Sequence, residues 1–118
     1  MANKPRPVPF TIGAGTSLSG VVPTGGEPVV AIVTPAGWTT AALTLQASHD
    51  GGVTYSVVWS GAAAAEYSVA AVVASRYVAI DPVLTAGASS IKVQSGTSAA
   101  AVNQVSAVTG TVVTRSVA

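Results

Sequence analysis

Short runs of Val, Ile, Leu and Thr, broken at close intervals by turn-forming clusters, constrain this chain more than any other feature. The clusters are Gly25-Gly26, Pro35-Ala36-Gly37, Asp50-Gly51-Gly52, Ala86-Gly87 and Ser95-Gly96. Each supplies residues whose backbone preferences reverse the chain. Strand-like runs punctuated in this way predict an all-β sandwich or barrel. The expected architecture is a single antiparallel β-sandwich or jelly-roll-like domain.

The clearest strand is Ala41–Ser48, where Leu43, Leu45 and Ala47 share one face and Thr44, Gln46 and Ser48 the other. That alternation is the two-residue period of a strand with one buried side. A second run at 53–59 places Val53, Tyr55, Val57 and Trp59 on one side, and the two runs read as a hairpin closed by His49-Asp50-Gly51-Gly52. Further strands are expected at 10–18, 28–33, 76–80, 90–95 and 104–115. The alanine-rich stretch 62–75 has good helix propensity but no polar face at the helical period, so it reads as a loop at 62–65 followed by a strand. Among the aromatics, Tyr55 and Trp59 alternate with valines and are expected in the core. Trp38 follows a turn at a strand entry, where it caps the core, anchors a partner or stacks on a sugar, in that order of expectation.

The first nine residues, MANKPRPVP, lack any hydrophobic period. Pro5, Pro7 and Pro9 favour an extended backbone, which at roughly 3.1 Å per residue reaches about 28 Å. Residues 1–9 are therefore expected to form an extended arm and residues 10–118 the sandwich domain. The arm either frays or orders against a neighbouring subunit. Lys4, Arg6, Val8 and Phe10, together with Trp38, are the candidate partner-binding residues, with the apolar pair outweighing the charges.

Function classes are narrowed by what the side chains offer. Only 8% of the 118 residues are charged, against about 25% in an ordinary soluble domain. Ser, Thr, Ala, Gly and Val must form most of the outside, which points to a surface partly covered by partners. Five basic and four acidic residues give a net charge of +1, with no basic stripe to suggest a nucleic-acid partner. No uninterrupted apolar run is long enough to span a membrane, and the prolines after Lys4 and Arg6 break the apolar helix that a signal peptide needs. The chain reads as soluble and unprocessed.

Catalytic designs find little to work with. The one histidine, His49, lies in a turn between Ser48 and Asp50, and adjacent residues on an extended chain point apart, so this trio makes no relay. Glu27, Asp50, Glu66 and Asp81 are scattered, and with no cysteine there is no thiolate metal site. Gly13-Ala14-Gly15 is no phosphate cradle. The expectation is a protein that is not an enzyme, with no catalytic, cofactor or metal residues.

Several strings recur in a familiar order: the run WTTAALTLQASHDGG from Trp38, then Tyr55, then RYVAIDP from Arg76 and IKVQSGTSAAAVNQ from Ile91. As a set, over roughly residues 38–115, they resemble a group of small structural proteins of tailed bacteriophages. The shared pattern is a tryptophan, an alternating strand, Ser-x-Asp-Gly, a later Leu/Ile-Asp-Pro and Ile-Lys-x-x-Ser-Gly-Thr before Val-Asn-Gln. Ala62–Ala65 departs from it, standing where a more polar turn is usual. The resemblance implies a β-sandwich virion component, and specifically a head decoration, or cement, protein at the capsid surface. Its partners would be the major capsid protein and copies of itself, and it would be made in the bacterial host cytoplasm. Turns at Asp81-Pro82 and Ser95-Gly96-Thr97 and a polar strand entry at Val102-Asn103-Gln104 are the only residue roles implied. Two other readings stand beside it: a tail or baseplate accessory protein, and a carbohydrate-binding sandwich using Trp38 or Tyr67.

Overall fold

The computed structural model describes residues 5–115. In chain order the strands are β1 (Pro5–Ile12), β2 (Val22–Pro23), β3 (Val29–Val33), β4 (Ala41–Ser48), β5 (Ser56–Val57), β6 (Trp59–Ser60), β7 (Ala65–Glu66), β8 (Ser68–Val72), β9 (Tyr77–Ala79), β10 (Ser90–Ser95) and β11 (Val108–Arg115), with one 3-10 turn at Pro82–Thr85. They form the expected all-β sandwich. One sheet has the order β1-β11-β3-β9. The other has the order β2-β10-β4-β5, with β8 also paired to β4, and β6-β7 makes a small ribbon. Every pairing is antiparallel.

The core lies between the sheets because each long strand turns alternate residues inward. Phe10, Ile12, Ile32 and Val112 come from one sheet, and Val22, Leu43, Leu45, Ile91 and Val93 from the other. Trp38 closes one margin of this core at 4% exposure. Its indole Nε1 donates to the Val72 carbonyl at 3.1 Å, so the buried ring keeps its polar handle satisfied.

Several boundaries move. The expected arm at 1–9 is not an arm over its described part, because Pro5–Pro9 are the first half of β1, paired in register with β11 from Pro5↔Arg115 to Ile12↔Val108. Met1–Lys4 lie outside the described residues. The prolines fit because their parity is right. The Thr11 carbonyl accepts from Gly20 N, so the odd positions of β1 point their backbone groups away from β11. Pro5, Pro7 and Pro9 stand at that parity, where no ladder donor is needed.

The run 53–59 is not one strand facing the core. Asp50 caps a wide loop, and pairing resumes only at Gln46↔Val57 and Ala47↔Ser56. Val58 then donates its amide to Leu45 O at 2.9 Å and turns inward. The opposite parity puts Trp59 outside at 62% exposure, with Val53 also exposed. At the other end, β11 begins at Val108 rather than at 104. Gln104 is instead a buried loop residue whose side chain accepts from Thr39 N at 2.8 Å and donates to Thr39 O. The stretch 62–75 contains no helix: a turn precedes β7, and β8 follows.

Candidate functional site

The structure does not gather the five expected partner-binding residues on one surface. Lys4 lies outside the described residues. Val8, Phe10 and Trp38 are buried in the protein's own core. Arg6 sits at the core-facing parity of β1 and closes the end of the sandwich. Its Nε donates to Glu27 Oε1 at 3.1 Å and its Nη2 to the Thr24 carbonyl at 3.0 Å. The same Glu27 oxygen accepts from Thr114 Oγ1 at 2.8 Å. That hydroxyl first, then the guanidinium, holds the carboxyl below its ordinary range.

The other described charges, Arg115 apart, are likewise engaged locally. Asp50 Oδ1 accepts from Thr54 N at 2.9 Å and from Ser48 Oγ at 2.8 Å, and these bonds, led by the backbone one, lower its pKa to about 2. Glu66 accepts from the amide and hydroxyl of Ser98, each at 3.1 Å. Asp81 caps the 3-10 turn by accepting from Val83 N at 3.1 Å. Arg76 Nη1 donates to the Ala74 carbonyl at 3.2 Å, and Lys92 Nζ lies 4.5 Å from the centroid of the Tyr55 ring. Among the described residues no three His, Cys, Asp or Glu side chains come together to hold a metal ion, and no helix is long and apolar enough to cross a membrane.

What this leaves exposed is a sheet face almost free of charge. The outer side of the four-stranded sheet is built in rows across β1, β11, β3 and β9. One row is Pro9, Thr111, Val33 and Tyr77, and the next is Pro7, Val113, Ala31 and Ala79, with Ala31 itself buried between its neighbours. Thr11 and Thr109 form a further pair whose hydroxyls lie 3.0 Å apart. The single charged residue in these rows is Arg115, opposite Pro5. On the other sheet the side away from the core pairs Lys92 with Gln46, both half-buried, whereas Gln94, Thr44, Ser90 and Ser48 on that side are buried. The outer face of the four-stranded sheet is proline, threonine, valine and alanine around the exposed Tyr77. The alternation in β11 could have revealed this face, since Thr109, Thr111, Val113 and Arg115 fall on one parity. It needed the β1–β11 pairing to show that the prolines join it.

A second feature is a groove of about 240 Å³ beside the β4–β5 hairpin, lined by His49, Ser56, Val57, Leu84, Ala88 and the exposed Trp59 among others. Trp38 caps the core, the first of the roles its sequence position suggested, and the exposed tryptophan is Trp59, which the alternation had placed in the core. Compared with protein-family models, curated proteins and solved structures, the chain shows no match.

Proposed function

We propose that the protein is a structural component of a tailed-bacteriophage virion. It decorates and stabilises the capsid by seating the outer face of its four-stranded sheet on the lattice of the major capsid protein. The observation that carries this reading is the near-absence of charge from that face. Small uncharged side chains on a hydrogen-bonded sheet are cheap to desolvate and lose little entropy on contact. Many weak copies on a repeating shell then hold together through effective concentration. The resemblance of residues 38–115 to phage structural proteins supplies the shell.

The test is cosedimentation with undecorated heads across a range of salt. A contact made without charges predicts binding that is as strong at about 1 M salt as at about 0.1 M, where the screening length is roughly 10 Å. Binding that vanishes with salt would contradict the proposed contact, and binding to tails alone would move the protein to the tail or baseplate.

The Trp59 groove favours a second reading, that of a carbohydrate-binding module. An exposed indole offers a flat apolar face, and His49 and Ser56 place polar groups beside it. At about 240 Å³ the groove is smaller than pockets for drug-sized ligands, which run roughly 300–1,000 Å³. It has room for a single sugar ring rather than a long chain. A tryptophan-fluorescence titration with bacterial surface polysaccharide tests it, since buried Trp38 reports little and Trp59 would dominate the response. An unchanged spectrum at saturating polysaccharide removes this reading.

A further inference from the structure

The two edges of the four-stranded sheet are finished differently. Along β1, Pro5, Pro7 and Pro9 leave carbonyls but no N–H donors on the free side, so no strand can add there in a regular ladder. Along β9 nothing of the kind protects the edge. Thr34 N donates to Arg76 O at 2.9 Å and Ile80 N to Val30 O at 2.9 Å, which turns the backbone groups of Arg76, Val78 and Ile80 toward β3. The N–H and C=O of Tyr77 and Ala79 therefore point outward, and none of these four groups bonds to another described residue. Both residues are exposed, Tyr77 at 68%.

We propose that the β9 edge binds a second copy of this chain, β9 against β9, about a two-fold axis passing beside Val78. The edge is complementary to itself. With Val78 opposite the partner's Val78, Tyr77 N–H meets the partner's Ala79 C=O and Tyr77 C=O meets the partner's Ala79 N–H. The symmetric pair repeats both bonds, for four in all. On the outer face, each Tyr77 ring lies across from the partner's small Ala79 side chain, an aromatic-over-small cross-strand pair. Because the β1 edges are blocked, the assembly closes at two copies instead of growing into a ribbon.

Area favours this occupant over a lone subunit, a step that rests on the docking reading above. At about 4.8 Å between strands and 3.3 Å per residue, the outer face covers on the order of 400 Å². A standard stable interface takes about 800 Å² from each partner. Two copies joined through β9 present one continuous eight-stranded face of that size.

The experiment is sedimentation velocity of the full chain alone over a concentration series, beside the variant Ala79→Pro. The substitution removes a donor aimed at the partner and none aimed at β3. The expected result is a monomer–dimer equilibrium for the wild type, weakened tenfold or more in the variant, with an unchanged thermal transition. If the proline variant fails to fold, Ala79→Arg keeps every backbone bond, crowds the partner's Tyr77 and should weaken association equally. A wild type that stays monomeric throughout, or variants that associate as well as it does, overturns the proposal. A dimer that ignores heads would sink the capsid reading and leave this one standing, and a monomer that binds heads would do the reverse.

Discussion

Gly110 and Phe10 stand opposite each other on β11 and β1, and the phenyl ring occupies the space that a side chain at 110 would need. A Cβ there would lie 2.6 Å from two ring carbons and 2.7 Å from the Val33 carbonyl. Gly110→Ala is therefore an overpacking change at the base of the core, expected to cost about 1–3 kcal/mol and readable as a lowered urea midpoint. Asp50 makes a prediction in pH. Its pKa falls from the ordinary 3.8 to about 2 in the folded chain, so its contribution is full above the ordinary value and fades as pH drops through about 2. Asp50→Asn should melt below the wild type at neutral pH, and the two curves should converge near pH 2. A gap that persists there would show that the carboxylate is not what holds the 48–54 loop. At this scale the sequence was partly legible. The Asp50-Gly51-Gly52 turn could be read because local chemistry fixes it, and Gly51 does take a φ of 75°. Which tryptophan faces out could not be read, because it depends on where β5 rejoins β4 after a loop of free length.

Strands with an unbroken two-residue period were legible from end to end. Ala41–Ser48 and Ser90–Ser95 carry that period through their whole length, and their register follows it, Leu45 against Val93 and Leu43 against Ser95. β1 was not legible, since PRPVP looks like a stiff linker until β11 is placed beside it. Only then does proline on one parity, with Val8 and Phe10 on the other, read as an edge strand. The consequence is concrete. Deleting residues 2–9 removes half of β1 and the buried Val8, so it should broaden or abolish the cooperative thermal transition rather than simply shorten a docking arm. Intact folding of the truncated chain would contradict the assignment of β1. Pro7→Val should leave the fold in place while restoring an outward donor on that edge. Static light scattering should then show association beyond that of the wild type.

The molecule as a whole is a sandwich whose four-stranded sheet turns a nearly uncharged face outward. Fold class could be read from the sequence because it rests on turn spacing and alternation, which are local. The candidate face could not, because its rows are assembled from strands about a hundred residues apart, as in the pairings of Thr11 with Thr109 and Pro5 with Arg115. Low overall charge raised the expectation of a partner-covered surface, without saying which one it would be. On the proposed function, the surface that meets the capsid is the outer face of β1, β11, β3 and β9. The most direct test is cosedimentation of undecorated heads with Val113→Asp, beside Gln46→Asp as a control on the opposite face. Both positions are partly exposed strand residues, and circular dichroism would establish that both variants fold. The expected result is that a carboxylate at 113 abolishes binding, because it must be desolvated in the contact, while a carboxylate at 46 leaves it unchanged. Undiminished binding by Val113→Asp, or loss confined to Gln46→Asp, would contradict it.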